Sequence, residues 1–188
     1  VFVMENVSAI VKGRMKGKFI EIMKTLKKTG YNIKCKSMNA MHYEVPQTRE
    51  RVIWIGVKDG IPVFPKPYKH IITAREALKG INNKTFSNIT NMEKKYWDIA
   101  KRGRWVGKYR SNIKIQPNKP CNCIRKSSPH FHWKERRKLT IEEGKRLSSF
   151  PDNFILTGSY SDQWARLGNA VMPKFMEHIA RTIKEEIL

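Results

Sequence analysis

Glu5 and three residues at alternating positions, Gln47, Arg49 and Arg51, have the types and spacing to do chemistry. Glu5 lies near the end of VFVMENV, an apolar and β-branched run that predicts a buried strand over residues 1–7. In open α/β sheets ligands bind at the carboxyl ends of strands. A carboxyl group desolvated at such an end can deliver a proton near neutral pH. Gln47, Arg49 and Arg51 lead into VIWIGV, residues 52–57, a second strand candidate. In an extended segment the three share one face. Arginines so placed can fork onto phosphates or a base carbonyl. The plainer readings are a surface carboxylate at a loop start and a solvated basic strand edge.

Cys121, Cys123, His130 and His132 suggest a zinc site, but each pair is separated by one residue. Structural zinc sites space cysteines by two to four residues and histidines by three to five, so no metal is expected. Cys35 alternates with Ile33 and reads as a small buried hydrophobe. Between residues 94 and 137, Lys and Arg interleave with Tyr96, Trp97, Trp105, Tyr109, Phe131 and Trp133. That mixture suits phosphate contacts and base stacking, and given the net charge this reading is favoured over a basic face covering a small aromatic core. Gly168, Asn169, Ala170 and Val171 are small or turn-forming residues before a helix, and let a ligand approach the backbone closely.

These residues need elements to hold them. Phe19, Ile22, Met23 and Leu26 recur at helical spacing from Lys16 to Thr29, with Gly30 as the stop. Residues 31–38 alternate as a strand. The order strand, helix, strand, strand over residues 1–58 suits part of an α/β layer. Pro62, Pro65 and Pro67 mark a linker, and residues 73–79 a short helix opened by Thr73 and Glu76. Thr140 and Glu143 open a helix to Leu147, and a polar Ser/Gly loop leads on to Leu167. Pro173 begins a final helix with Phe175, Ile179, Ile183 and Ile187 on one stripe.

The 188 residues carry 38 Lys and Arg against 16 Asp and Glu, a net charge of +22. Nucleic acid is the first partner such a balance implies, and an anionic membrane surface the second. No apolar run is long enough to span a bilayer, and no signal-peptide pattern is present, so a cytoplasmic protein is expected. The first residue is Val1, which predicts a trimmed start or a portion of a longer protein.

Four segments, in order, resemble the motifs of the DNA (cytosine-5) methyltransferase family. Glu5-Asn6-Val7 resembles its E-N-V motif, and Gln47-Thr48-Arg49-Glu50-Arg51 its Q-x-R-x-R motif. Residues 137–152, RKLTIEEGKRLSSFPD, resemble R-x-L-T-x-x-E-x-x-R-L-x-x-F-P-D, and Gly168 to Val171 with Pro173 resembles G-N-A-V. The resemblance implies a partial Rossmann-like α/β sheet that uses S-adenosylmethionine, plus a small irregular target-recognition domain. It divides the chain into 1–58 (catalytic sheet), 59–164 (target recognition) and 165–188 (return to the sheet). It implies Glu5 at cytosine N3 and the exocyclic amine, Arg51 at O2, and Arg49 bracing that site. Asn169, Ala170 and Val171 close one side of the cofactor pocket. Gln47, Arg104, Lys108, Arg110, Arg125, Lys126 and Arg137 are the expected contacts to double-stranded DNA.

The family's glycine-rich cofactor loop and its Pro-Cys nucleophile loop normally precede E-N-V. Pro120-Cys121-Asn122 looks like the second, but lies where the family has a P-x-x-T-I-like segment, with Cys123 in the Thr position. The resemblance therefore implies a chain inactive alone and completed by an N-terminal half, in the same natural chain or a separate subunit. A non-catalytic DNA-binding remnant and a transfer-RNA cytosine-5 methyltransferase stand as alternatives.

Overall fold

The computed structural model describes residues 1–81, 89–106 and 112–188. The first part folds as expected: β1 (Phe2–Val7), α1 (Lys16–Lys27), β2 (Asn32–Asn39) and β3 (Glu50–Val57). β3 is the middle strand and pairs antiparallel with both neighbours, in the order β1-β3-β2. β1 and β2 therefore run the same way, with α1 as their crossover. Strand alternation sorts β3 into two faces. Ile53, Ile55 and Val57 pack against Phe175, Ile179 and Ile183 of the final helix, α6 (Pro173–Glu186). Val52 and Trp54 face Phe19, Ile22, Met23 and Leu26 of α1. Burial of each such aliphatic side chain is worth about 1.5–3 kcal/mol. Gly56 has no side chain because the Phe2 ring lies across it; a Cβ there would sit 2.0 Å from Phe2 Cε1.

The rest of the chain builds its own core. It contains α2 (Ala74–Ala77), α3 (Asn91–Ile99), a small hairpin of β4 (Trp105–Val106) and β5 (Asn112–Ile113), α4 (Ile141–Leu147) and α5 (Tyr160–Asn169). Ile115, Ile124, Leu139, Leu147, Trp164 and Leu167 are its buried members. Four of these helices start with a complete capping box: Thr73/Glu76, Thr90/Glu93, Thr140/Glu143 and Ser159/Asp162. Each satisfies two otherwise orphaned N–H groups. α3 and α5 are additions to the sequence reading, which has a polar loop where α5 lies. The expected domain boundary at 164/165 also cuts α5. Trp164 and Leu167 belong to this second core, whereas Ala170, Val171 and Met172 pack on the sheet core, so the change of core falls after Asn169.

The expectation that the basic-aromatic stretch stacks bases is corrected for most of its aromatics. Phe131 is fully buried, Tyr96 and Trp97 pack against it and Ile89, and Trp133 packs on the larger core. Lys114 is buried with them, its Nζ 3.5 Å above the Trp97 ring and 3.1 Å from the Trp97 carbonyl oxygen. Tyr109 lies outside the described residues.

His130 sits in this core with 1% of its surface exposed. Its Nε2 lies 3.3 Å from the Asn122 carbonyl oxygen and 3.2 Å from that of Cys123, while buried Nδ1 has no partner. Burial pushes the imidazole down to about 4, against the pull of the two carbonyls. The ring is thus neutral when folded at pH 7. Between about pH 6.5 and 4 the unfolded chain binds a proton that the folded chain refuses, so stability present above pH 6.5 is lost as pH falls through this window. For this one group the loss is up to about 3 kcal/mol. Urea unfolding at pH 7 and pH 4.5 checks this: His130→Gln should be less stable at pH 7 yet lose less on acidification.

Candidate active site

Glu5 and Arg51 meet where the sheet core gives way to surface. Glu5 is opposite Ile53 and Val7 opposite Arg51, so the two charged residues are diagonal neighbours on the α6 face. Arg51 Nε lies 2.7 Å from Glu5 Oε1, with side chains 13% and 25% exposed. Arg51 Nη1 donates to the Glu50 carbonyl oxygen at 2.8 Å, which fixes the fork. The pair is partly desolvated but open on one side.

Arg49, two residues earlier on the same side, points inward. Its Nη1 donates to the Ile124 carbonyl oxygen (3.1 Å) and meets Cys123 Sγ at 3.4 Å; its Nη2 donates to the carbonyl oxygens of Gly168 (3.0 Å) and Ala170 (2.9 Å). Burial, and then the charge of Arg51, lower this guanidinium from its ordinary value, while Cys123 and Glu5 pull the other way. Arginine still keeps its proton. Arg49 thus holds three segments together directly behind the Glu5–Arg51 pair. Asn39 supports it by accepting from the Arg49 backbone N–H at 3.0 Å, a role no sequence signal announces.

Gln47 is fully buried, which corrects the expectation of a DNA contact. Its Oε1 accepts from the Ile124 N–H at 3.1 Å, and its Nε2 donates to the Leu147 carbonyl and the Ser148 hydroxyl, both at 3.3 Å. Backbone bonds from Thr48 N–H to the Cys121 carbonyl (2.8 Å) and from Cys121 N–H to the Pro46 carbonyl (2.9 Å) run alongside. Gln47 stitches the second core to the sheet.

Arg137 is likewise structural. It is 8% exposed and grips the buried Glu143 with Nη1 at 2.7 Å and Nη2 at 2.8 Å, while Nε meets Glu135 at 2.6 Å. Burial alone would lower its proton affinity; the bonds from Glu143 and Glu135 outweigh that and raise it. Glu143 also closes the cap of α4. Arg104, Arg125 and Lys126 are exposed, as a DNA-facing role requires, and Lys108 and Arg110 lie outside the described residues.

Gly168 is tight for a different reason than ligand approach. A Cβ there would lie 2.3 Å from the Lys126 nitrogen and 2.5 Å from the Arg125 carbonyl carbon, so α5 touches protein backbone at this point. Asn169 next to it is exposed and makes no side-chain hydrogen bond among the described residues, and Ala170 and Val171 are half-buried. Cys121 is fully buried, and burial drives its thiol far up from the ordinary range. Cys35 packs toward α1, where burial also raises its thiol. His132 Nδ1 accepts from the N–H groups of Lys134 (3.3 Å) and Glu135 (3.0 Å).

The sequence matches the profile of the family described as C-5 cytosine-specific DNA methylase over residues 1–185. The chain belongs to this family. It is similar to the type II methyltransferase M1.HphI of Haemophilus parahaemolyticus, 31% identical over 97% of this chain and 56% of that protein. It is also similar to the type II methyltransferase M.MthTI of Methanothermobacter thermautotrophicus, 28% identical over 99% of this chain and 66% of that protein. This methylase-family chain thus spans between about half and two thirds of the length of these two curated relatives. A prophage-encoded protein of E. coli, a proposed DNA modification methyltransferase, shares the fold with a TM-score of 0.81 at 19% identity, over 97% of this chain and 68% of that one. The S. pombe Dnmt2 methyltransferase does so with a TM-score of 0.67 at 14% identity, over 99% and 67%.

Two pairs of variants test this wiring. Gly168→Ala forces backbone apart and should cost about 1–3 kcal/mol or more in urea unfolding, whereas Gly17→Ala, with nothing within 4 Å of its Cβ, should be neutral or better. Arg137→Met strands the carboxylate of Glu143 in the core and should cost about 3–5 kcal/mol, with much of the loss recovered in Arg137→Met/Glu143→Leu.

Proposed function

We propose that this chain is the C-terminal portion of a DNA (cytosine-5-)-methyltransferase acting on a cytosine turned out of double-stranded DNA. The observation that carries this reading is the Glu5–Arg51 pair, a carboxyl group and a cation held 2.7 Å apart at the rim of the sheet. C6 of cytosine is a poor electrophile, so thiolate attack there needs charge drawn toward N3 and O2. Glu5 holds a proton at N3 and accepts from the exocyclic amine, and Arg51 donates to O2. Arg49 touches no base; it positions the strand that carries Arg51. S-adenosylmethionine supplies the methyl group when bound. The residues present fit it: Asn169 offers an uncommitted amide, and Ala170 and Val171 a half-buried apolar wall.

The attacking thiolate comes from an N-terminal half, in the same natural chain or as a separate subunit. Three facts support this. Cys121 is sealed in the core, Cys35 faces α1, and Cys123 is bonded to Arg49. Arg104, Arg125 and Lys126 are the proposed DNA contacts of the recognition region. The type II methyltransferases among the relatives support a place in restriction-modification, and hence in the cytoplasm. Among the described residues no helix is long and apolar enough to cross a membrane.

The test is reconstitution with an N-terminal half carrying the Pro-Cys loop. In the completed enzyme Glu5→Gln should slow single-turnover methyl transfer by about a hundred- to ten-thousand-fold, while DNA affinity changes by less than about tenfold, because phosphate contacts elsewhere dominate it. An unchanged rate would make Glu5 an ordinary surface carboxylate.

A further inference from the structure

The free edge of the sheet on the β2 side carries a feature the methyl-transfer reading does not use. After β3 the chain turns at Gly60, and residues 61–69 run back along β2. This return segment is tied at both ends: Asn32 Nδ2 donates to the Gly60 carbonyl oxygen at 2.9 Å, and Tyr68 N–H to the His42 carbonyl oxygen at 2.9 Å. Between the ties two depressions open, one at each end of β2. The first, about 490 Å³, is lined by Lys27, Tyr31 and Lys34 among others; the second, about 510 Å³, by Lys36, His42, Tyr68 and Lys69. No Asp or Glu lines either depression. Lys27, Lys34, Lys36 and Lys69 are exposed and form no ion pair among the described residues.

A lysine on an edge strand ordinarily guards against strand pairing. Guarding does not require lysines of α1 and of residues 61–69 to stand beside those of β2, nor an exposed aromatic ring next to them. Tyr68 is 47% exposed, and the His178 ring lies beside it with centroids 5.0 Å apart and planes tilted by 59°. His178 is itself buried and fixed by Glu44 at 2.7 Å. The Tyr68 ring is therefore pre-set rather than adaptable. Lys34 and Lys36 are two residues apart on one side of a strand, roughly 6.6 Å at about 3.3 Å per residue, which is close to the separation of neighbouring phosphates along one nucleic-acid strand.

We propose that the groove between β2 and residues 61–69 binds a single strand of nucleic acid, with Lys34, Lys36 and Lys69 on consecutive phosphates and a base stacked on Tyr68. The sheet order β1-β3-β2 puts this groove on the opposite edge of the sheet from Glu5. The inference rests on the nucleic-acid reading of the chain but not on methyl transfer.

Fluorescence anisotropy of the full chain with a labelled single strand of about 12 nucleotides, and with the matching duplex, tests it. Lys34→Gln/Lys36→Gln/Lys69→Gln should flatten the plot of log affinity for the single strand against log salt by roughly 2, about 0.7 per lost phosphate contact. Tyr68→Ala should weaken single-strand binding about 5- to 150-fold. Lys16→Gln/Lys24→Gln/Lys184→Gln removes the same charge from other exposed positions and should leave the slope nearly unchanged. Thermal melts of each variant establish that it is folded. Equal slopes for the two triple variants, or a wild-type chain that binds duplex but no single strand, would overturn the groove and leave the proposed function standing. A wild-type chain that binds neither would sink both.

Discussion

Arg49 carries a full positive charge to a position with 3% of its surface exposed, where no carboxylate among the described residues pairs with it. Its charge is stabilised instead by the carbonyl oxygens of Ile124, Gly168 and Ala170, with the sulfur of Cys123 beside them. These acceptors come from the second core, the end of α5 and the link to α6. A buried guanidinium left without acceptors is strongly destabilising, so the three segments must hold register for the charge to be tolerated. Moving any one strands the cation. Arg49 therefore helps to place the second core, the Asn169 segment and the strand bearing Arg51 relative to one another.

That constraint explains why the neighbouring contacts are so close. Gly168 lets α5 approach the backbone of Arg125 and Lys126, which brings the Gly168 carbonyl within reach of Arg49. Gly144 does the same between α4 and α5, since a Cβ there would lie 2.8 Å from Leu167 Cδ1. Gln47 adds a second tether from the sheet to Ile124 and Leu147. The Glu5–Arg51 pair at the rim consequently sits on a base held by several independent contacts.

The strands of the sheet, the helix from Lys16 and the capped helix after Thr140 were legible because apolar period and cap chemistry agree there. Thr90/Glu93 and Ser159/Asp162 carry the same cap signal, but the helices they open are polar and short, so periodicity is weak until Trp164 and Leu167 find their core. The shared face of Arg49 and Arg51 followed from strand geometry, and the assignment of Glu5 and Arg51 to one site followed from the motif resemblance alone. The fates of Gln47 and Arg137 did not. A polar residue's type states what it can bond, not whether a partner arrives from 77 or 6 residues away, as Ile124 and Glu143 do. The aromatics between residues 94 and 137 failed for the same reason: rings among lysines look alike whether they stack on bases or fill a core.

The acid-poor composition shapes the interior as well as the surface. With 16 acidic residues for 38 basic ones, few carboxylates are available to neutralise buried cations. Lys145 donates to the carbonyl oxygens of Asp152 and Phe154 at 2.8 and 2.9 Å, Lys114 uses the Trp97 carbonyl and ring, and Arg49 uses three carbonyls. Only Arg137, of these four, is held by carboxylates. Carbonyl dipoles satisfy a cation's hydrogen bonds without cancelling its charge. The three carbonyl-held cations therefore add to the field felt outside, on top of the exposed lysines. Their partners do not titrate, so acid leaves these contacts intact, whereas the burial that keeps the His130 ring neutral works against folding as pH falls. A chain organised this way keeps its attraction for a polyanion over a wide pH range and draws its acid sensitivity from a few named sites.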